Sequence, residues 1–218
     1  MLKKFIVVAG NIGVGKSTLT RMLSDELHWE PFFEPSEANP YLSDFYADMP
    51  RWAFQSQIFF LNRRLRHHRQ LSLHPTTVLQ DRSVYEDSEI FAKNLYRQGQ
   101  LSERDYRCYR ELYEVLIEFL PSPDLVVYLR AGVDTLLTRI TFRGRDYEQH
   151  IPADYLQQLN ALYEEWTAGL TICPLLTVPA DNLDFVRHPE HLRLIATRIQ
   201  EKLQGKEVLD FQEPHSDL

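Results

Sequence analysis

The sequence predicts an α/β fold with a five-stranded parallel sheet between two layers of helices. Short apolar runs rich in Val, Ile and Phe alternate with longer segments of helical periodicity, which is typical of βαβ units. The first apolar run, residues 5–9, leads into a glycine-rich phosphate-binding loop and then into a helical segment. No internal repeat or low-complexity linker interrupts this pattern, so the 218 residues are interpreted as one domain.

The elements follow from the apolar periodicity. Strands are predicted at about residues 4–9, 31–34, 76–80, 124–129 and 174–178. Helices are predicted at about 16–28, 51–70, 102–119, 133–141, 152–167 and 189–203, with Pro121, Pro123, Pro152 and Pro189 marking boundaries. The domain is expected to cover residues 1–204. The polar tail 205–218 has few apolar residues and is expected to fray.

Composition limits the classes of partner. Apolar residues make up 44% and charged residues 25% of the chain, and no apolar run is long enough to span a membrane. The net charge of −7 disfavours general binding to nucleic acid or to anionic lipid. The first residues lead directly into a strand, and Cys108 and Cys173 lack disulfide or zinc spacing. We therefore expect a reducing, cytoplasmic location and no nucleic-acid or membrane partner.

The phosphate-binding loop indicates a nucleoside triphosphate ligand. Its glycines let backbone N–H groups surround an oxyanion, and the start of the following helix adds partial positive charge. Lys16 is expected to reach the β and γ phosphates, and Ser17 to hold Mg²⁺. The candidate ATP ligands here are Gly10, Asn11, Ile12, Gly13, Val14, Gly15, Lys16, Ser17 and Thr18. The alternative is a glycine-rich turn that only caps a helix.

Polar residues also follow the second and third predicted strands, where open α/β sheets bind their ligands. Glu34 is the candidate general base, and the alternative is a surface carboxylate. Asp81 stands where phosphate-loop proteins often keep an acid for Mg²⁺. Arg82 is expected to align Glu34 with the substrate hydroxyl, although an ordinary ion pair would also explain it.

Two clusters of basic residues receive different interpretations. Arg139, Arg143 and Arg145 lie near Gly144, which permits a turn that brings them over the transferred phosphoryl group as an arginine-rich lid. A solvent-facing basic helix end is the alternative. The cluster at 63–69 is interpreted as such a solvated end.

Aromatic residues at helical spacing are interpreted as core residues, and a stacking platform for a base is the alternative. The residues concerned are Trp52, Phe54, Phe59, Phe60 and Tyr85.

The ordered motifs support a family resemblance. The phosphate loop is followed by Glu34-Pro35, Phe54-Gln55, Asp81-Arg82-Ser83 and Arg143-Gly144-Arg145, and with these the chain resembles the deoxyribonucleoside kinases over about residues 4–200. The densest match is 81–95. Its Asp-Arg-Ser form is similar to that of the bacterial deoxyadenosine and deoxyguanosine kinases.

The resemblance implies roles for individual residues. Glu34 would activate the 5′-hydroxyl with Arg82 beside it, Gln55 would bind the nucleobase, and Asp87 would help to separate purines from pyrimidines. Without the resemblance, Gln55 and Asp87 read as a polar helix face and a helix N-terminal carboxylate. The remaining implied ligands are Tyr46 and Glu148 for the 3′-hydroxyl, Arg139, Arg143 and Arg145 for phosphate, and Asp184 and Phe185 for the adenine of the donor.

The predicted function is ATP- and Mg²⁺-dependent phosphorylation of the 5′-hydroxyl of deoxyadenosine, deoxyguanosine or both, by a homodimer. One alternative is a nucleoside monophosphate kinase of the thymidylate type, which has a similar fold and should carry an extra basic site near the base. Another is a non-catalytic nucleotide-dependent switch. The sequence lacks the Asn-Lys-x-Asp motif of switch GTPases and keeps a candidate base, which favours the kinase.

Overall fold

The fold comes from a computed structural model that describes residues 3–33, 39–145, 148 and 151–204. The strands are β1 (Phe5–Gly10), β2 (Glu30–Phe32), β3 (Val78–Asp81), β4 (Leu125–Arg130) and β5 (Leu175–Pro179). All neighbouring strands are parallel, and they form one sheet in the order β2-β3-β1-β4-β5. The predicted five-stranded parallel sheet is confirmed.

Helices cover both faces of this sheet, as predicted. The α-helices are α1 (Lys16–Leu27), α2 (Leu42–Ala47), α3 (Met49–Leu73), α4 (Val84–Glu86), α5 (Lys93–Arg97), α6 (Glu103–Ile117), α7 (Val133–Arg143), α8 (Ala153–Ala168) and α9 (Pro189–Gln204). A π-helical turn, Asp87–Ala92, joins α4 to α5.

The alternating side chains of β1 supply the core on both faces. Ile6 and Val8 belong to the cluster that includes buried residues of α1, α7, α8 and α9. Phe5, Val7 and Ala9 belong to a second cluster, which contains Leu71 of α3. Every residue of β1 is buried. A strand that is apolar on both sides is what a central parallel strand requires.

The strand order determines where a ligand binds. From β1 the chain runs to β2 and β3 on one side of the sheet, and later to β4 and β5 on the other side. The crevice at such a reversal lies beyond the carboxyl ends of the strands. The glycine-rich loop after β1 occupies this position, with the residues after β3 on one side of it and the start of α7 on the other.

Helices α2, α4 and α5 were not predicted from the sequence. They are short, and α4 to α5 includes the π-helical turn, whose wider spacing shifts the phase of buried residues. A single helical period therefore does not fit the segment 84–97. Ser83 and Glu86 nevertheless form a capping box at the start of α4, which is a sequence signal for a helix N-terminus.

No helix in the described ranges combines the length and apolar character needed to cross a membrane. Cys108 is exposed and Cys173 is half-buried, and both are free thiols. Burial raises the pKa of the Cys173 thiol to about 11. The tail 205–218 lies outside the described residues.

Candidate active site

The glycine-rich loop turns sharply between β1 and α1. Gly13 has φ 82° and Gly15 has φ 106°, backbone conformations that residues with a side chain rarely adopt. A Cβ atom at Gly13 would also lie 2.7 Å from Cγ1 of Ile140 and 2.9 Å from the carbonyl oxygen of Leu136. The loop therefore needs glycine here, both for its turn and for its close packing against α7.

Two polar side chains of the loop are held by the loop and its surroundings. The Lys16 ammonium donates to the carbonyl oxygens of Gly10 (2.8 Å) and Asn11 (2.9 Å). The Asn11 amide donates to Leu156 O (2.9 Å) and Asn160 Oδ1 (2.8 Å) in α8, and its own Oδ1 accepts from the backbone N–H of Ile12 (2.7 Å). Gly10 and Asn11 thus shape the loop from behind and do not line either cavity described below.

Ser17 and Asp81 bring two oxygen ligands together. The Ser17 hydroxyl donates to Asp81 Oδ2, so the first turn of α1 meets the end of β3. Within the described ranges, no three His, Cys, Asp or Glu side chains gather in a way that could hold a metal ion. A hard cation at this pair would take its other ligands from phosphate and water, which is how Mg²⁺ is commonly bound.

An inner cavity opens beside β3 and contains most of the predicted substrate residues. It is lined by Ile12, Gly13, Lys16, Ser17, Leu42, Phe45, Tyr46, Gln57, Phe60, Asp81, Arg82, Asp87, Phe91, Arg143, Arg145, Glu148 and Tyr155. Tyr46, Arg82, Asp87 and Glu148 were predicted from the sequence as substrate ligands, and the fold brings them together. Glu34 lies outside the described residues, so its position relative to this cavity stays a prediction.

Arg82 enters the inner cavity from a strained backbone. Its φ is 64°, and a left-handed conformation costs a non-glycine residue about 1–2 kcal/mol. Its N–H donates to Val8 O (3.1 Å), which keeps the chain in register with β1 at that point. The guanidinium carbon lies 4.2 Å from the ring centroid of Phe91, within the range of a cation–π contact.

Arg64 is a site residue that the sequence analysis missed. It was interpreted as part of a solvated helix end, but it is 2% exposed. Its guanidinium donates to both carboxylate oxygens of Asp87 (3.0 and 3.3 Å) and to the carbonyl oxygen of Arg82 (3.0 Å). Its buried neighbours one turn away on α3, Leu61 and His68, show that Arg64 lies on the inward face of the helix.

The structure corrects the prediction for Gln55. Gln55 is exposed on α3 and does not line the inner cavity, whereas Gln57 lines it and is 4% exposed. The Oε1 atom of Gln57 has no hydrogen-bond partner among the described residues. Because Ala53, Gln57 and Leu61 recur every four residues on the buried face, helical phase was the signal that favours Gln57.

Five aromatic residues line the inner cavity: Phe45, Tyr46, Phe60, Phe91 and Tyr155. Phe60 was treated as a core residue in the sequence analysis, yet it lines the cavity. Phe91 belongs to the π-helical turn and Tyr155 to the first turn of α8. Burial raises the pKa of Tyr155 to about 12, so its hydroxyl stays protonated at neutral pH. These rings form apolar walls suited to a flat heterocycle.

Two arginines at the end of α7, Arg143 and Arg145, meet a carboxylate. Gly144 ends the helix with φ 68°, and the chain turns there so that Arg143 and Arg145 both reach Glu148. Arg143 Nη2 donates to Glu148 Oε2, and Arg145 Nη1 lies 3.5 Å from Glu148 Oε1. Glu148 is 6% exposed, so two guanidinium groups offset the charge of a buried carboxylate. The structure thus pairs the predicted lid arginines with a predicted substrate ligand.

An outer cavity lies on the other side of the loop. It is lined by Gly13, Val14, Gly15, Lys16, Ser17, Thr18, Arg139, Phe142, Arg143, Arg145, Asp181, Asn182, Leu183, Asp184, Phe185 and Val186. Asp184 and Phe185 therefore lie in the same lining as the phosphate-binding loop, where the donor adenine was predicted. The backbone N–H of Arg187 lowers the pKa of Asp184 by hydrogen bonding to its carboxylate.

Arg139 makes contacts that the sequence analysis did not predict. It was predicted to bind phosphate, but its guanidinium donates to the carbonyl oxygens of Val14 (2.8 Å), Ala180 (2.7 Å) and Leu183 (3.2 Å). The carboxylate of Asp181, which is also in the loop after β5, accepts a hydrogen bond from the Gly132 N–H (2.8 Å) at the start of α7. Hydrogen bonds thus connect α7 to the loop after β5 at Gly132 and at Arg139. Arg139 also connects α7 to the phosphate-binding loop, through the carbonyl oxygen of Val14.

The two cavities meet at five residues that line both of them: Gly13, Lys16, Ser17, Arg143 and Arg145. Three of these residues carry positive charge, and Ser17 contacts Asp81. A triphosphate whose base occupies the outer cavity would thus direct its terminal phosphate toward a second ligand in the inner cavity. The arrangement suits in-line transfer of a phosphoryl group between two molecules.

Comparison with known proteins agrees with this geometry. A sequence profile of the family described as deoxynucleoside kinase matches residues 6–204. The chain is 36% identical over 196 residues to the deoxyadenosine/deoxycytidine kinase of Bacillus subtilis (strain 168), an overlap of 89% of this chain and 90% of the relative. It is 35% identical over 204 residues to the deoxyguanosine kinase of the same organism, covering 90% of this chain and 96% of the relative.

Comparison with solved structures also finds similarity to a deoxynucleoside kinase. The fold matches that of deoxyadenosine kinase from M. mycoides with bound dATP, with a TM-score of 0.81 and 32% identity over 91% of this chain and 100% of the other. A second structure of that enzyme, with the products dCMP and a flexible dCDP bound, also gives a TM-score of 0.81, with 32% identity over 90% of this chain and 98% of the other.

Removing one member of the buried Arg64–Asp87 pair should destabilise the protein strongly. Arg64→Met leaves a buried carboxylate without this guanidinium, so we expect a loss of about 3–5 kcal/mol in unfolding free energy by urea denaturation. The control is Arg66→Met on the exposed side of α3, with an expected change within about 0.5 kcal/mol. Equal losses in the two variants would contradict the buried pair.

Proposed function

The chain belongs to the deoxynucleoside kinase family and is an ATP-dependent phosphotransferase, and we propose that its acceptor is the 5′-hydroxyl of a purine deoxyribonucleoside. The observation that carries the proposal is the meeting of the two cavities at Lys16, Ser17, Arg143 and Arg145. One cavity offers phosphate ligands and the other offers the features of a nucleoside pocket.

ATP would occupy the outer cavity. The backbone N–H groups of the glycine-rich loop and the start of α1 favour the negative charge of the phosphates. Lys16 would exchange its contacts with the loop carbonyls for the β and γ phosphates. The adenine would lie near Phe185 and Asp184, where Arg139 holds the loop after β5 against the phosphate-binding loop.

The deoxynucleoside would occupy the inner cavity. Gln57 offers both an amide donor and an amide acceptor, which is complementary to the adjacent donor and acceptor positions of a purine edge. Phe60 and Phe91 would flank the base. The buried Arg64–Asp87 pair fixes the charge pattern at the base end of the cavity. The names of the relatives, deoxyadenosine/deoxycytidine kinase and deoxyguanosine kinase, also favour a purine substrate.

The sugar would be held by Tyr46 and Glu148. The Glu148 carboxylate, which Arg143 and Arg145 hold in place, would accept a hydrogen bond from the 3′-hydroxyl. The same arginines would neutralise charge on the transferred phosphoryl group. The contacts of Arg143 and Arg145 with Glu148 would thus link binding of the sugar to binding of the phosphoryl group. This link would favour phosphoryl transfer only when a deoxynucleoside is bound.

The transfer step would need a base and charge neutralisation. Glu34 is our candidate for accepting the 5′-hydroxyl proton. Arg82, which lines the inner cavity, would align the hydroxyl for this step. Ser17 and Asp81 form an oxygen donor pair suited to Mg²⁺, which would neutralise charge on the donor phosphates. Positioning and electrostatics then supply most of the catalysis.

We also propose a cytoplasmic homodimer. Helix α6 buries Tyr109 and Tyr113 but exposes Leu112 and Val115. Phe119, two residues beyond the end of the helix, is 79% exposed. An apolar surface of this kind is typical of a subunit interface. The free thiols of Cys108 and Cys173 support a reducing compartment.

Steady-state kinetics with Mg²⁺–ATP would test the acceptor class. We expect kcat/KM for deoxyadenosine or deoxyguanosine to exceed that for thymidine by about tenfold or more, because Gln57 and the fixed Arg64–Asp87 pair select by hydrogen bonding. Deoxynucleoside monophosphates, assayed alongside, should show no turnover. Turnover of monophosphates alone would instead indicate a monophosphate kinase, and no turnover with tight ATP binding would indicate a nucleotide-dependent switch.

Replacing the candidate base should remove transfer but not donor binding. For Glu34→Gln we expect kcat to fall about 100- to 10,000-fold, because the amide cannot accept the hydroxyl proton. The dissociation constant of ATP, measured by calorimetry, should stay unchanged. Glu30→Gln is the matched control, since Glu30 is an exposed carboxylate on β2 and should retain kcat. A kcat close to that of the unmodified enzyme would assign the base elsewhere.

A further inference from the structure

Glu86 is a buried carboxylate to which the proposed chemistry gives no role. It is the last residue of α4 and is fully buried. A carboxylate is rarely found at such a position unless its oxygens are fully hydrogen-bonded, because removing the charge from water is costly. Its hydrogen bonds therefore show which parts of the structure depend on it.

One oxygen of Glu86 fixes the turn after β3. Oε2 accepts from the backbone N–H of Ser83 (2.8 Å) and lies 3.3 Å from the Ser83 hydroxyl, which closes the capping box of α4. Ser83 directly follows Arg82, the residue with φ 64°. Holding the N–H of Ser83 therefore stabilises the turn that directs Arg82 into the inner cavity.

The other oxygen reaches the phosphate-binding loop. Oε1 accepts from the N–H of Gly10 (3.2 Å), the first residue of that loop. The Tyr163 hydroxyl lies 2.8 Å from the same oxygen and 2.7 Å from the carbonyl oxygen of Gly10. Burial, followed by the nearby Glu86 carboxylate, raises the pKa of Tyr163 well above its ordinary value, so the hydroxyl remains a donor.

The contacts of Gly10 extend this arrangement to Lys16. The carbonyl oxygen that faces Tyr163 also accepts from the Lys16 ammonium (2.8 Å). The backbone of Gly10 packs closely against β4, since a Cβ atom there would lie 2.6 Å from the carbonyl oxygen of Leu129. The peptide groups on both sides of Gly10 are thus held by hydrogen bonds from within the core.

We propose that Glu86 is a positioning residue that sets the phosphate-binding loop at a fixed distance from the Arg82 turn. It contacts neither cavity and acts through Gly10, Ser83 and Tyr163. The inference rests on the proposed function in one respect, because Arg82 matters only if an acceptor is phosphorylated in the inner cavity. The effect on the loop does not depend on the identity of the acceptor.

The first test replaces Glu86 with Gln, which keeps the shape but turns an amide donor toward one of the existing donors. We expect the dissociation constant of ATP to rise about three- to tenfold through the disturbed loop. We expect kcat with deoxyadenosine to fall about tenfold or more, because small misplacements at a transfer site are costly. The dissociation constant of the deoxynucleoside should change less than that of ATP, because Gln57, Phe60 and Phe91, which would contact the base, are not hydrogen-bond partners of Glu86.

Tyr163→Phe is the second variant. It removes one hydroxyl from the same oxygen and should give a smaller change of the same kind. Because both residues act on Gly10, the losses in kcat of the double variant should be less than the product of the single losses. If Glu86→Gln does not fold, Tyr163→Phe decides the matter: weaker ATP binding supports the proposal, and unchanged ATP binding overturns it.

Ile199→Ala controls for stability, since Ile199 is fully buried in α9 and contacts neither cavity. A smaller folded fraction lowers apparent kcat but leaves the ATP dissociation constant of the folded molecules unchanged. Unchanged ATP affinity in folded Glu86→Gln would overturn the inference whatever the acceptor is. If the unmodified enzyme binds ATP but phosphorylates no deoxynucleoside, the proposed acceptor is wrong and the ATP measurement still decides the role of Glu86.

Discussion

The active site depends on the central position of β1, between β3 and β4. Because β1 is buried on both faces, its carboxyl end can leave the sheet only into the crevice between the neighbouring strands. The glycine-rich loop that follows turns sharply at Gly13 and Gly15, as a loop that surrounds a phosphate must. On one side of the loop, β3 ends at Asp81 and Arg82 follows it. On the other side, α7 ends at Arg143, and Arg145 follows it.

The buried charged residues around this loop hold structural elements in position more than they stabilise the fold. Arg64 is buried with Asp87, and Glu86 is buried with its three hydrogen-bonded neighbours. Buried ionic groups seldom add net stability, because desolvation offsets their attraction. In this chain they connect elements that must keep fixed distances: α3 to the base end of the inner cavity, and the phosphate-binding loop to the turn after β3.

Local signals in the sequence were enough to predict the sheet, the loop, and the meeting of Ser17, Asp81, Arg143 and Arg145 around one cavity. Each of these follows directly from an apolar strand or from a glycine. Gln57 and Arg64 were missed because α3 has 25 residues, and the face turned toward the sheet depends on tertiary packing. The π-helical turn at 87–92 likewise shifts the helical phase. Arg139 donates to carbonyl oxygens in two loops that are distant from it in sequence, so no local pattern predicts these hydrogen bonds.

The central claim is that the two cavities are the two halves of a single transfer site. The most direct test is inhibition by deoxyadenosine joined to adenosine, 5′ to 5′, through four phosphates, which would span both halves. We expect one molecule to bind each chain, in competition with ATP and with deoxyadenosine, and more tightly than either because the second contact is intramolecular. Competition with ATP alone, or two molecules bound per chain, would contradict the claim.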